Sequence, residues 1–225
     1  MKREFERLPS KIIKTENRDI YIFNIDGENI DQKVVDEFGE EWLKFFEHDG
    51  DLIKKGGEEY FDILNDKIIN TKTYVLDVGC GTARWTKFLT SKVNFIEAVD
   101  PSNAIFAADK LLGKIQNVRL SKASIETLPF ADETFDFVMS IGVLHHIPNT
   151  RKALIDCVKK VKKGGYFFVY LYYNLEGTSV FYKALFKSSD WVRKIVSRLP
   201  GKVKHIVYDI LAVIFYMPFI LVGRL

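Results

Sequence analysis

The chain has 225 residues, 47% of them hydrophobic and 28% charged, which is enough to bury a full core as one domain with an appendage or two. Its net charge of +3 and pI near 8.6 are too mild for a nucleic-acid binder, which concentrates Lys and Arg on one face. Cys80 and Cys157 are the only cysteines, so neither a disulfide framework nor a metal site is expected, and a reducing cytoplasm fits best.

Residues 1–7 carry positive charge with no apolar run behind it, unlike a secretory signal. Residues 1–70 read as a polar, mixed cap segment: a β-like run at Ile20-Tyr21-Ile22-Phe23, a turn at Asp26-Gly27, then a helical pattern from Asp31 onward. In that helix Val34, Val35, Phe38, Trp42, Phe45 and Phe46 recur at spacings of three, four and seven. A buried stripe is the simplest reading of them.

From Tyr74 short apolar runs alternate with helical ones, the mark of β-α-β units and a parallel sheet. Strands are expected at 74–78, 95–99, 117–120, 135–140 and 166–172, and helices starting near Thr82, Ser102 and Asn149. The third helix carries Ala153, Leu154, Cys157, Val158 and Val161 on one face, with Gly164-Gly165 as its stop. The fold class is therefore α/β: a doubly wound, mostly parallel, Rossmann-like sheet over 71–175, with helical additions at both ends. Residues 176–225 form a basic and apolar helical tail that lacks the pattern of a final hairpin and suggests a shortened chain.

The chemistry is concentrated in Asp77-Val78-Gly79-Cys80-Gly81-Thr82. A strand running into Asp77-x-Gly79-x-Gly81 and then a helix puts glycines where the backbone turns tightly and a ligand approaches closer than a Cβ permits. Arg84 stands where a dinucleotide fingerprint needs its third glycine, and the Asp77 carboxylate would repel a pyrophosphate. A cationic ligand suits this loop better, and S-adenosylmethionine carries an ammonium and a sulfonium. Asp100, at the end of the second of these strands, is placed to accept from both hydroxyls of a ribose. The bland alternative is a strand-to-helix turn flanked by solvated carboxylates.

Val75-Leu76-Asp77-Val78-Gly79-Cys80-Gly81-Thr82, Val99-Asp100, Leu128-Pro129-Phe130, Phe135-Asp136-Phe137-Val138 and Gly164-Gly165 resemble, in order, the motifs of class I S-adenosylmethionine-dependent methyltransferases of the small-molecule type. Phe38-Gly39-Glu40-Glu41-Trp42 is similar to a leader helix of some members. The resemblance implies that Gly79, Cys80 and Gly81, with Thr82 beside them, line the methionine part of the cofactor and that Asp100 takes the ribose. It places Pro101 and Ser102 at the adenine edge, Ser124 and Ile125 beside the base, and Ile141, Gly142 and His146 near the cofactor. Many relatives have Asp where Ser124 stands, and a hydroxyl accepts more weakly than that carboxylate.

Methyl transfer is an in-line displacement at an activated carbon, so alignment supplies much of the rate. A hydroxyl acceptor needs a base, and His145 and His146, after the fourth of these strands, are the candidates, against a structural or cofactor-packing role for the pair. Trp42, Phe45 and Tyr60 either cover the cofactor or pack in the core. Arg84 and Trp85 either meet the cofactor carboxylate or stand as a solvated arginine and a sheet-packed tryptophan.

In the tail, Lys183, Lys187, Arg193, Lys194, Arg198, Lys202 and Lys204 precede the apolar stretch 206–222, which Asp209 and Pro218 interrupt and which falls short of the roughly 20 residues a spanning helix needs. Peripheral membrane contact suits that pairing, and so does a helix packed on the core or a second subunit. The acceptor is expected to be a small or lipid-like molecule. Two rivals stand beside this reading: an NAD(P)-binding oxidoreductase, and a cofactor-binding subunit without transfer activity.

Overall fold

The computed structural model describes residues 3–25, 27–44, 50–172, 177–196 and the single positions 207, 210, 211, 213 and 217. Two compact units divide the chain, Met1–Tyr172 and Tyr173–Leu225. Phe45, Phe46, Asp26 and most of the apolar stretch 206–222 lie outside the described residues.

The first unit is built on one seven-stranded sheet. In chain order its strands are β1 (Lys11–Lys14), β2 (Asp19–Ile22), β3 (Tyr74–Val78), β4 (Phe95–Val99), β5 (Val118–Lys122), β6 (Phe135–Ile141) and β7 (Val161–Tyr170). Their spatial order is β1-β2-β5-β4-β3-β6-β7. All neighbours run parallel except the β1–β2 hairpin. The helices are α1 (Gln32–Lys44), α2 (Gly50–Tyr60), α3 (Arg84–Leu89), α4 (Ala104–Leu112) and α5 (Thr150–Lys159).

Period-2 alternation sorts the strand side chains onto two buried faces. Val75, Ile96, Ala98, Leu120, Phe137 and Met139 lie in one apolar layer, with Ile105 and Ala108 of α4 and Leu89 of α3. Leu76, Val78, Val99, Phe135 and Val138 lie in the other, with Ala153 and Cys157 of α5. Every residue of β3 is buried, as a central strand covered on both faces requires.

That second layer also holds a polar group set. Glu97 is fully buried and accepts two bonds from Arg119 at 2.7 Å and one from the Tyr74 hydroxyl at 2.5 Å. Arg119 also donates to the Arg3 carbonyl at 2.8 Å and stands 3.8 Å from the Phe5 ring centroid, so it fastens the N-terminal strip to the sheet. At the hairpin turn, Arg18 pairs with Asp109 of α4 at 3.1 Å.

The structure moves several expected boundaries. The first elements are strands, because Ile20 is buried against β5 and β2 continues the sheet there. Helix α5 ends at Lys159, so Val161 belongs to β7 and Gly164-Gly165 stops no helix. The pairing passes from Phe135↔Val161 to Phe137↔Tyr166, which bulges 162–165 out opposite Asp136. Gly164 sits at φ 78°, and a Cβ on Gly165 would come within 2.7 Å of the Asp136 carbonyl. Val158 is exposed, since the buried face of α5 passes through Ala153 and Cys157. Among the described residues no strand follows β7.

The second unit contributes α6 (Val180–Val196), which carries Lys183, Lys187 and Lys194 and exposes Val180, Phe186, Trp191 and Ile195. Among the described residues no helix is long and apolar enough to cross a membrane.

Candidate functional site

The site lies at the carboxyl ends of β3, β4 and β6, in the crevice where strand order reverses on either side of β3. The turn after β3 runs through three left-handed residues, Gly79 (φ 77°), Gly81 (φ 53°) and Ala83 (φ 62°). The amides of Gly79 and Cys80 both donate to the Val99 carbonyl, at 2.7 and 3.0 Å, which holds the turn against the end of β4. A Cβ on Gly79 would stand 2.6 Å from the Val143 methyls, so this position takes glycine for space as well as for φ. Among the described residues, a Cβ on Gly81 would find only the Trp42 indole, at 3.7 Å.

Asp100 organises the same turn from the second strand end. One carboxylate oxygen accepts the Gly81 amide at 2.8 Å; the other accepts the Ser102 amide at 2.8 Å and the Ser102 hydroxyl at 2.5 Å. A carboxylate has about four acceptor positions, so three are engaged within the chain. Two ribose hydroxyls would therefore have to share with or displace Ser102 Oγ, a restriction invisible in the spacing.

Asp77 does not reach the cavity. It is buried beneath the turn and accepts the Thr86 hydroxyl at 2.5 Å. Burial, reinforced by the neighbouring Asp100, pushes its carboxyl up to about 7 even though the Thr86 bond favours the charged form. Asp77 belongs to the foundation of the loop rather than to its ligand-facing side.

A cavity of about 240 Å³ opens over the turn. Gly79, Cys80, Gly81, Thr82, Asp100, Pro101, Ser102, Ser124, Ile125, Ile141 and Gly142 all line it. The Ser124 hydroxyl lies 3.0 Å from the Thr127 hydroxyl, within the cap of a single 3₁₀ turn, Ile125–Thr127. Burial holds the Cys80 thiol well above its ordinary range, so it is a neutral lining group.

The two histidine rings touch, with centroids 4.1 Å apart, but differ in their surroundings. His146 lines the cavity, its ring 4.8 Å from that of Phe38. His145 stands 4.0 Å from the Tyr172 ring, and its two ring nitrogens are buried with no hydrogen-bond partner among the described residues. Burial lowers the pKa of both, so each is neutral at pH 7.

The remaining wall comes from residues that the sequence left open or did not single out. Val34, Val35, Phe38 and Trp42 of α1 face the cavity rather than a closed core. Tyr60 follows from α2, Arg84 and Trp85 from α3, and Tyr170 and Tyr172 from the end of β7. Gly39 lets α1 sit this close, since a Cβ there would be 3.1 Å from Ser102 Cβ and 3.2 Å from the Asn103 amide nitrogen. Asn29 ties the entry of α1 to the start of α5: Asn149 N donates to Asn29 Oδ1 at 2.6 Å and Asn29 Nδ2 donates to the Asn149 carbonyl at 3.0 Å. The i, i+3, i+4 spacing marked the α1 stripe, but no local signal told a cavity-facing stripe from a core-facing one.

These residues fit S-adenosylmethionine. The backbone is uncovered at Gly81, a carboxylate faces the cavity at Asp100, and aromatic faces that attract a sulfonium stand nearby. Comparison with known proteins agrees. A family described as a methyltransferase domain matches residues 76–169. The chain is 31% identical over 167 residues to a demethylmenaquinone methyltransferase of Alkalihalophilus pseudofirmus, covering 64% of this chain and 70% of that protein. It is 30% identical over 95 residues to a phthiotriol/phenolphthiotriol dimycocerosates methyltransferase of Mycobacterium tuberculosis, covering 41% and 35%. The crystal structure of a putative methyltransferase from Bacillus halodurans shares the fold, with 22% identity, a TM-score of 0.51, and coverage of 62% of this chain and 66% of that one. The chain belongs to the class I S-adenosylmethionine-dependent methyltransferases.

Proposed function

We propose that this methyltransferase acts on a small or lipid-like acceptor that enters between α1, α2 and the end of β7. The observation that carries this reading is the wall itself: Phe38, Trp42, Tyr60, Trp85 and Tyr170 surround the cavity beyond Gly81, a lining suited to a largely apolar molecule. The two named relatives support it, since their names specify a demethylated menaquinone and a dimycocerosate lipid as acceptors.

The cofactor supplies an electrophilic methyl group, and the chain's contribution is to hold and align. Gly79, Cys80, Gly81 and Thr82 receive the methionine portion, with Asp77 supporting the turn from below. Asp100 accepts from the ribose, Pro101, Ser102, Ser124 and Ile125 frame the adenosine end, and Ile141 and Gly142 lie near the cofactor. His146, neutral and in the wall, is positioned to accept a proton from a hydroxyl acceptor; His145 packs behind it. In this reading residues 71–175 are the cofactor core, 1–70 the cap, and 176–225 a tail whose lysines suit an anionic membrane surface.

Calorimetric titration with S-adenosylmethionine and S-adenosylhomocysteine, repeated on Asp100→Ala, tests the cofactor half. Micromolar binding that the substitution abolishes supports the assignment. Equal binding by both proteins would remove Asp100 from the site. An acceptor screen over quinols and lipid alcohols tests the other half, with turnover confined to water-soluble amines or peptides as the contrary result.

A further inference from the structure

The sheet has two edges, and they are built differently. Strand β1, at one of them, is four residues long with an exposed lysine at each end, Lys11 and Lys14. Shortness and lysine are the usual means by which an edge avoids pairing with another chain. Strand β7, at the other, spans ten residues and has no neighbour on its outer side among the described residues. Its lysines are confined to the bulge, where Lys162 pairs with Asp136 at 2.5 Å and Lys163 with Glu133 at 3.9 Å. Beyond the bulge, residues 166–172 carry no charge. Tyr166, Val169 and Tyr170 are 45%, 36% and 39% exposed there.

The phase of the ladder decides which groups this edge offers. The Gly142 amide donates to the Tyr170 carbonyl at 2.9 Å, so Tyr170 turns its backbone polar groups toward β6. Bonding alternates along a parallel strand, so Tyr166 and Phe168 share that direction while Phe167, Val169 and Leu171 turn theirs outward. The same alternation puts Phe167 and Leu171 in the layer of Val138, and Phe168 in the opposite one, on the side where Tyr170 and Tyr172 line the cavity.

The outward set is symmetric about Val169. When the segment pairs antiparallel with itself, Val169 opposite Val169, every outward N–H meets an outward carbonyl, with Phe167 facing Leu171 on either side of the centre. No like charges oppose each other, and on the cavity side Tyr170 falls beside Phe168 of the second copy and Tyr172 beside its Tyr166. A strand of another protein can also add to an edge, but only a copy of this chain brings the same uncharged segment in the same hydrogen-bonding phase.

We infer that β7 is a homodimer edge: a second copy adds its own β7 antiparallel about a two-fold axis at Val169, joining the two sheets and setting its Tyr166 and Phe168 beside the cavity wall of Tyr170 and Tyr172. The inference stands apart from the cofactor assignment, because Val169 belongs to the sheet face away from the cavity.

The test uses the full chain as wild type, Val169→Lys, Val169→Cys and the control Ile12→Lys, an exposed position on the β1 edge. Thermal melts establish that each is folded. Sedimentation at micromolar concentrations is expected to give twice the 26.0 kDa chain mass for wild type and Ile12→Lys. It is expected to give a single chain mass for Val169→Lys, which sets two ammonium groups opposite each other at the axis. Val169→Cys treated with a short bismaleimide is expected to form a covalent dimer through that position, since Cys80 and Cys157 are buried. A wild-type dimer that keeps its mass in Val169→Lys and fails to cross-link through Val169→Cys overturns the proposal by placing the contact elsewhere. A wild type that sediments as a single chain overturns it too. The rate at which a simple maleimide labels Val169→Cys then tells what replaces the second copy: slow labelling means that the edge is covered within the chain, fast labelling that it is bare. Should Val169→Lys fail to fold, the cross-link decides alone.

Discussion

The carboxylate of Asp100 grips two backbone amides at once, Gly81 on one oxygen and Ser102 on the other, each at 2.8 Å. An amide side chain cannot reproduce this, because one of its two ends is a donor that would face an N–H. Asp100→Asn should therefore weaken S-adenosylhomocysteine binding by about ten-fold or more, even though it preserves shape. Calorimetry on the purified variant checks this; unchanged affinity would mean that the turn does not depend on both oxygens.

Asp77 gives a pH signature. Its folded-state carboxyl is raised from 3.8 to about 7, so the folded chain holds the proton more firmly than the unfolded chain. Its contribution to stability is thus complete below about 4 and lost as pH rises through about 7, a change on the order of 4 kcal/mol if fully expressed. Urea denaturation from pH 4 to 8 should show wild type losing stability relative to Asp77→Asn, whose amide keeps an acceptor for Thr86. Parallel curves for the two proteins would refute the linkage.

The Glu97–Arg119 pair behaves differently when cut on one side or both. Arg119→Leu leaves a buried, uncompensated Glu97 and should cost about 3–5 kcal/mol by urea titration. The double variant Glu97→Leu/Arg119→Leu should recover most of that loss, leaving mainly a Tyr74 hydroxyl without its acceptor and an Arg3 carbonyl without the Arg119 donor. Additive losses would show that the residues act independently.

Ala83 tests the turn. It is fully buried and left-handed at φ 62°, a conformation that disfavours β-branched side chains far more than alanine. Ala83→Val should lower stability by about 2–3 kcal/mol, whereas Ala83→Gly should stay within about 1 kcal/mol of wild type, because relief of strain offsets added chain entropy. A thermal melt in which valine is tolerated as well as glycine would contradict the geometry.

The sheet core was legible because its signals are local. Strands β3 and β4 stand at their expected residues, and the loop at Gly79 and Gly81 carries left-handed conformations that only its composition had suggested. What the sequence hid depends on long-range contact. Gly164-Gly165 looks like a helix stop in one dimension, but the close approach of the Asp136 carbonyl makes it a bulge. Asp77 and Asp100 look alike as strand-end carboxylates, yet one is sealed under Thr86 and the other opens to the cavity. Trp42, Tyr60 and Tyr172 are far apart in the chain, and only the packing of α1, α2 and β7 brings them to one wall.

The two halves of the cavity are specified in different currencies. Around Gly79 and Asp100 the shape is set by backbone angles and amide bonds, which tolerate little exchange. Opposite them, the surface is set by side chains on α1 and α2, whose replacement leaves those angles untouched. Substitutions on one helix face can therefore reshape this wall while leaving the turn at Gly79 and Asp100 undisturbed.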